Sequence, residues 1–145
     1  SGNLKNLMDH FAYRWITHRP YGKMFTKVGL TISSSAGAPA NNTVKSMAKQ
    51  LKWMGIPKVY KFPFISNALN ISTISSKKEA ELKQKSEKIA LKVKKRANKP
   101  KASLKGKIMF YIFRKMQASP SASWNPKDRD WWIEQGWIKN VRPWK

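Results

Sequence analysis

Small polar residues follow an apolar, strand-like run in the first third of the chain. The run Lys27–Ile32 leads into residues 33–39, which read Ser-Ser-Ser-Ala-Gly-Ala-Pro, and then into a helical pattern from Asn42 to Trp53. In an open α/β sheet, ligands bind in the crevice outside the carboxyl ends of the strands. A loop of Ser, Ala and Gly there lets backbone N–H groups approach a flat or anionic ligand closely. The alternative interpretation is a tight strand-to-helix turn that binds nothing.

A second strand pattern completes a β-α-β unit around this loop. Residues 24–32 are apolar enough for a strand that is buried on both faces of a parallel sheet. Residues 58–62 predict the second strand, which we expect Pro63 to end, and Gly55 ends the helix between the two. Two strands alone do not make a stable parallel sheet. We therefore expect further strands of a larger domain, or another chain, to complete it.

Helical patterns account for most of the remaining chain. Residues 3–18 predict an amphipathic helix with Asn3 as its N-cap. Residues 77–98 predict a strongly charged helix with a thin apolar stripe, residues 104–118 predict another helix, and residues 128–135 predict a short one. The order α-β-α-β-α-α-α indicates a parallel sheet covered by helices.

The net charge of +23 on 145 residues is the strongest compositional signal. It predicts attraction to polyanions such as nucleic acid, anionic lipid or acidic protein, and a self-repulsion that an acidic partner would relieve. Half of the 30 Lys and Arg residues lie between Lys77 and Lys115, together with three of the seven acidic residues. Residues 77–107 contain no aromatic residue, so a base-stacking platform is missing. A solvated, lysine-rich helix face is the competing interpretation.

Large apolar residues are concentrated in the predicted helix 104–118 and in the tail. The run Ile108–Phe113 is flanked by Lys and Arg residues, a pattern found in helices that lie on anionic membranes. Because the run is nearly continuous, burial of the helix against the sheet or a second subunit is favoured. The tail tryptophans are expected to pack against this helix or across a dimer interface. They are Trp124, Trp131, Trp132, Trp137 and Trp144.

Titratable residues with catalytic potential are few. The chain has no cysteine, which excludes disulfides, thiolate metal sites and a cysteine nucleophile, and with two histidines a metal site is not expected. Asp9 and His10 are adjacent on the predicted helix and do not face each other, so they do not form an acid–base pair. His10 and Arg14 share a face that is typical of a subunit interface or a solvated surface. Alternatively, Arg14, His18 and Arg19 contact the phosphates of a nicotinamide cofactor. No residue is assigned a catalytic role.

Targeting signals are also missing from the sequence. There is no signal-peptide pattern and no apolar run of about 18 residues. We therefore expect a cytoplasmic protein without a membrane span.

Seven short motifs, the last of them in the tail, match one family pattern when they are taken together. They lie at residues 1–10 (Ser-Gly-Asn-Leu-Lys-Asn-Leu-Met-Asp-His), 13–15 (Tyr-Arg-Trp), 18–20 (His-Arg-Pro), at Met24, Phe25 and Lys27, at 33–37 (Ser-Ser-Ser-Ala-Gly), 53–56 (Trp-Met-Gly-Ile), and in the tail at 128–132 (Asp-Arg-Asp-Trp-Trp) with Gly136 and Trp137. Together they resemble the C-terminal half of the flavodoxin-like NADPH-dependent FMN reductases, and the tail resembles the C-terminal extension of a bacterial subgroup. The resemblance covers nearly the whole chain.

The resemblance implies an α/β fold of the flavodoxin-like type, a three-layer parallel sheet of which this chain is the C-terminal part. Residues 1–100 would belong to that domain. Residues 101–145 would be a Trp-rich helical extension that packs on the same domain or on a partner subunit of a homo-oligomer. Residues 24–32 and 58–62 would be the fourth and fifth strands of the family.

The resemblance also implies an FMN-dependent NAD(P)H oxidoreductase, in which a hydride passes from nicotinamide to FMN and then to an acceptor. Two loops would lie against the flavin ring, and they contain Ser1, Gly2, Asn3, Ser33, Ser34, Ser35, Ala36 and Gly37. The family's first three strands and phosphate-binding loop have no counterpart here, and such a loop supplies much of the binding of the FMN phosphate. We therefore expect this chain alone to bind FMN weakly or not at all.

Two further functions compete with the oxidoreductase. One is a basic, non-catalytic binding module for nucleic acid or anionic surfaces, which the charge favours. The other is an inactive partial product that self-associates through exposed sheet edges. Flavin bound to the purified protein would favour the oxidoreductase, and a steep salt dependence of polyanion binding would favour the basic module.

Overall fold

The computed structural model describes residues 2–121 and 125–145. Within these residues the chain forms five α-helices and a sheet of two strands. The helices are α1 (Gly2–His10), α2 (Asn41–Trp53), α3 (Ser76–Ala97), α4 (Leu104–Ala118) and α5 (Pro126–Glu134); the strands are β1 (Val28–Ser35) and β2 (Lys58–Ile65). Short 3-10 helices at Ala12–Arg14, Gly22–Thr26 and Ile71–Thr73 join some of these elements. The expected α/β class is confirmed.

β1, α2 and β2 form the β-α-β unit that the sequence predicts. The two strands are parallel, and at their carboxyl ends Ser35 is paired with Ile65. α2 packs against both strands. The buried Thr31 Oγ1 on β1 donates a hydrogen bond of 3.1 Å to the carbonyl oxygen of Val44 on α2. The helix is therefore held on the sheet by a buried polar contact as well as by apolar packing.

The apolar packing beneath α2 depends on a glycine in β1. Ala48, Ile56 and Val59 form a buried cluster, with Leu51 packed against it. A Cβ atom added at Gly29 would lie 3.1 Å from Cδ1 of Leu51 and 3.3 Å from Cγ2 of Val59. Gly29 thus permits the close approach of helix and strand that fills this core.

A second core joins α4 and α5 to the segment that follows α1. Its buried members are Ile16, Phe25, Phe110, Trp132 and Trp137. The rings of Phe110 and Trp132 are stacked at 5.0 Å between centroids, and those of Phe110 and Trp137 meet edge to face at 5.7 Å. The prediction that the tail tryptophans pack against the helix 104–118 is confirmed for Trp132, Trp137 and Trp144, whose rings contact Phe110; Trp131 packs at the edge of the same core. Trp124 lies outside the described residues.

β1 begins and ends later than the sequence predicts. The predicted strand began at Met24, but Gly22–Thr26 forms a 3-10 helix and Phe25 is buried in the second core. β1 then continues through Ser35, because the hydrogen-bonded pairing with β2 outweighs the weak strand propensity of three serines. Pro63 does not end β2, which runs to Ile65; a proline is tolerated in a strand with a free edge.

The predicted helix over residues 3–18 was too long. α1 ends at His10, and Asn3 lies inside it rather than at the N-cap position. The backbone N–H of Ile16 donates a 2.8 Å hydrogen bond to the carbonyl of Trp53, at the end of α2, and the Ile16 side chain enters the second core. Because these tertiary contacts fix the position of Ile16, the helix does not continue through residues 11–18. α1 itself has no buried residue.

The helices predicted over residues 77–98 and 104–118 are confirmed as α3 and α4. α3 contacts both strands, and its Leu82, Ile89 and Val93 are half-buried. Burial of α4 is one-sided: Phe110 and Gln117 are buried, whereas Ile108 and Ile112 are exposed. The sequence favoured burial of this helix against the sheet or a second subunit; among the described residues it packs against α5, and burial against a second subunit stays a prediction. Throughout residues 2–121 and 125–145, no helix combines the length and apolarity needed to cross a bilayer.

Candidate functional site

The serines proposed to contact a flavin lie in β1 and not in a loop. Ser33, Ser34 and Ser35 are the last three residues of the strand. The Ser35 hydroxyl donates a hydrogen bond to the carbonyl of Ala38, and the Ser35 carbonyl accepts one of 2.9 Å from the backbone N–H of Ser66. Ser35 therefore closes its own turn in this structure. The loop between β1 and α2 is reduced to residues 36–40.

Residues 36–39 of this loop are exposed and could be reached by a ligand. Ala36 and Gly37 are exposed, and a Cβ atom added at Gly37 would meet nothing within 4 Å. The N-cap residue of α2 is Ala40, which offers no side-chain acceptor to the first N–H groups of the helix. The start of α2 therefore carries a partial positive charge that no side chain of the N-cap residue satisfies.

Residues of α1 and α2 line a groove of about 300 Å³ between the two helices. Phe11, just after α1, lines a second cavity together with Met54, just after α2. The lining residues of the groove are Leu4, Lys5, Met8, Asn42, Thr43, Ser46, Met47 and Gln50. None of them is acidic, so Lys5 gives the groove a positive charge.

The predicted flavin-site residues that the structure describes lie near the starts of two helices that line this groove. Gly2 and Asn3 begin α1, and Ala36 and Gly37 lie in the loop that leads into α2. Ser1, the remaining predicted residue, lies outside the described residues. What the structure assembles here is an open groove, exposed backbone amides and a helix N-terminus, which can accept a flat or anionic molecule.

A buried ion cluster lies at a distance from this groove in the chain's other core. Asp128, at the start of α5, is 3% exposed. Its Oδ2 atom lies 2.7 Å from Nδ1 of His18, and its Oδ1 atom lies 3.2 Å from Nε of Arg19. One buried carboxylate therefore engages both side chains, and its negative charge offsets the positive charge of Arg19. In the sequence-based alternative, a cofactor phosphate would have to compete with Asp128 for His18 and Arg19.

Arg14, the third residue of that alternative, is also engaged. Its guanidinium carbon lies 5.1 Å from the ring centre of Trp131 and 4.9 Å from that of Tyr13, and Nη1 donates to the carbonyl of Arg19. In the part of the chain that the structure describes, no group of three or more His, Asp and Glu residues could hold a metal ion. The cluster around Asp128 was missed by sequence reasoning, because nothing in the sequence relates residues 18 and 128.

α3 presents a row of cations to solvent. Lys85, Lys88, Lys92 and Lys95 are exposed and follow the spacing i, i+3, i+7, i+10, which places them on one helix face about 15 Å long. At the N-terminal end of this row, Glu81 binds Lys85 and also Lys78, whose Nζ lies 3.0 Å from Oε2. These hydrogen bonds lower the pKa of Glu81 from 4.5 to about 2. The other three lysines of the row, Lys88, Lys92 and Lys95, are exposed to solvent.

Comparison of the chain with protein-family models, with curated proteins and with solved structures found no match. The α/β class and the parallel β-α-β unit accordingly stand on the structure itself. The likeness to flavodoxin-type reductases remains a prediction from the sequence motifs.

Proposed function

We propose that this chain is the flavin-ring-binding part of an FMN-dependent NAD(P)H oxidoreductase with a flavodoxin-like sheet. The observation that carries the proposal is the loop at the carboxyl end of β1. There the exposed residues 36–39 lead into α2, which lines a groove together with residues of α1. This is the position at which open α/β sheets bind ligands.

The residues at this end suit the polar edge of a flavin ring. Exposed backbone N–H groups around Ala36 and Gly37 can donate to its carbonyl and ring-nitrogen acceptors, and the dipole of α2 favours negative charge. When bound, the flavin accepts a hydride from nicotinamide and passes electrons to an acceptor. The chain's own contribution is binding, orientation and polarity, so no protein nucleophile is required.

An FMN titration tests the proposal, with riboflavin as the matched ligand. The tryptophan and flavin fluorescence of the protein are followed at low and at high salt. We expect weak but saturable binding of both ligands that persists at high salt, because the residues described here would contact the flavin ring and not the phosphate. Absence of binding, or FMN binding that high salt abolishes while riboflavin never binds, would overturn it. Oxidation of NADH and NADPH is then assayed on the flavin-loaded protein.

The cation row of α3 favours a second candidate function, which is binding of the phosphate backbone of nucleic acid without reading its sequence. Lys88, Lys92 and Lys95 are exposed on one face, at axial spacings of about 4.5–6 Å that allow them to contact successive phosphates. Replacing all three by Gln is expected to reduce the salt dependence of binding to a single-stranded oligonucleotide by about 2–3 phosphate contacts. Flavin binding should be unchanged in this variant, which separates the two candidates.

A further inference from the structure

The face of α4 that points away from the aromatic core carries a row of exposed aliphatic side chains. Leu104, Ile108 and Ile112 are 74%, 52% and 55% exposed. Their spacing of four residues aligns them along the helix, opposite the fully buried Phe110. Three large aliphatic side chains in line on one helix are an apolar strip that the described fold leaves uncovered.

Cations flank this strip at both ends. Lys105 and Lys115 are exposed on the same side of α4 and lie about 15 Å apart along the helix axis. The other two basic residues of α4 are used within the fold. Arg114 donates to the carbonyls of Trp137, Ile138 and Lys139, and the Nζ atom of Lys107 lies 5.7 Å from the ring centre of Trp144. α4 contains no acidic residue.

We propose that this outer face of α4, formed by Leu104, Lys105, Ile108, Ile112 and Lys115, binds the surface of an anionic lipid bilayer. The helix lies in the plane of the interface. The three aliphatic side chains enter the boundary between headgroups and acyl chains, and the two lysines contact lipid phosphate and carboxylate groups. The long lysine side chains can reach the headgroup level while their stems lie along the apolar strip.

Charge decides between a lipid surface and a second copy of the chain. Two copies of this face packed antiparallel would bring Lys105 of each copy against Lys115 of the other, with no carboxylate on α4 to separate them. Each copy also carries a net charge of +23, so their approach is repulsive. An anionic bilayer offers an apolar layer beneath a negative surface, which complements both parts of this face.

Nucleic acid complements it less well. The strip contains aliphatic side chains, which provide no aromatic platform for stacking bases. Contact with phosphates would leave Ile108 and Ile112 in water, whereas a bilayer removes them from it. The proposal does not depend on flavin binding, because α4 is separate from the groove between α1 and α2.

Vesicle sedimentation tests the proposal. The protein is mixed with vesicles of phosphatidylcholine alone and with vesicles containing about one third phosphatidylserine. The double variant Ile108→Gln, Ile112→Gln is compared with the double variant Ile32→Gln, Leu69→Gln, which replaces two aliphatic residues of equal or greater exposure elsewhere. We expect binding to anionic vesicles only. The affinity should be lower by about tenfold or more in the α4 variant and unchanged in the control variant. Far-UV circular dichroism verifies that all variants fold.

A single introduced cysteine gives a direct readout, because the chain has none of its own. An environment-sensitive fluorophore on Ile112→Cys should brighten and shift to the blue on anionic vesicles, and the same label on Leu69→Cys should not. Three results would each overturn the proposal. They are equal binding to neutral vesicles, binding that the Ile108→Gln, Ile112→Gln variant leaves unchanged, and a dimer in solution that this variant converts to monomer.

Discussion

Nδ1 of His18 lies 2.7 Å from Oδ2 of Asp128, although 110 residues separate them in the chain. Two further hydrogen bonds run alongside this contact. Nε1 of Trp132 donates to the carbonyl of His18 at 2.6 Å, and Nε1 of Trp131 donates to the carbonyl of Pro20 at 3.1 Å. The start of α5 is therefore tied to the segment that follows α1, and the aromatic core closes between them.

Replacement of Asp128 by Asn is expected to lower the free energy of unfolding by about 2 kcal/mol. Asn keeps the shape of the side chain but removes the negative charge that faces His18 and Arg19. The figure lies below that for a fully buried ion pair, because the His18 and Arg19 side chains are about one third exposed. Urea unfolding followed by tryptophan fluorescence measures the change, since Trp132 lies in the affected core.

Asp130→Asn is the matched control for this variant. Asp130 is on the same helix, is exposed and is two residues further along the chain. Removing its charge should change the free energy of unfolding by less than about 0.5 kcal/mol. Equal losses in the two variants would mean that net charge, and not the contact with His18 and Arg19, determines the effect.

α3, α4 and the β-α-β unit could be predicted because local features of the sequence determine them. α3 and α4 begin after Ser75 and Ser103, whose side chains accept hydrogen bonds from the backbone N–H groups of Lys78 and Gly106. Such caps and the apolar periodicity can be read directly. The β-α-β unit was predictable for the same reason, because Gly55, with φ of 98°, marks the end of α2.

What the sequence could not predict depends on contacts between distant segments. α1 stops at His10 because Ile16 is bound to the end of α2 and enters the second core. Ser33 to Ser35 are strand because β2 lies beside them. The one-sided burial of α4 was hidden by its continuous run of apolar residues, which gives no indication of which side the tail will cover. At the candidate site, the sequence indicated the position of the loop but not its shortening by three residues.

Replacement of Thr31 by Val is expected to lower the free energy of unfolding by about 1–2 kcal/mol. Thr31 is buried, and its hydroxyl joins β1 to the carbonyl of Val44 on α2. Val has nearly the same volume, so the loss reports the hydrogen bond and the carbonyl left without it. Thr73→Val is the control, because the Thr73 hydroxyl donates to the Asn70 carbonyl at an exposed turn where water can replace it.

The stabilising effect of Glu81 on α3 should be lost in acid. Its pKa is lowered from 4.5 to about 2 by hydrogen bonds to Lys85 and Lys78. A lowered pKa in the folded state means that the contribution is fully present above pH 4.5 and declines as the pH falls towards 2. The difference in thermal midpoint between the protein and Glu81→Gln should therefore shrink over this range. The difference is small because the site is solvent-exposed, and a difference that grows towards pH 2 would contradict the assignment.

The Gly37→Ala variant tests whether residues 36 and 37 contact a flavin ring or only form a turn. A Cβ atom at Gly37 meets nothing within 4 Å, so the variant should unfold at the same urea concentration as the parent. If a flavin ring lies against this backbone, the added methyl group holds it away, and we expect FMN and riboflavin affinity to fall about tenfold or more, as a misfitted group in a binding site costs 1–3 kcal/mol.

Gly29→Ala provides the contrast to that variant. Its Cβ atom would press on Leu51 and Val59, so it should destabilise the fold by about 1–3 kcal/mol whether or not flavin is present. Reduced flavin binding by Gly29→Ala should therefore follow the fraction of unfolded protein, whereas that of Gly37→Ala should not. If Gly37→Ala binds both flavins as the parent protein does, the ring does not lie against residues 36 and 37, and the turn interpretation of this loop is correct.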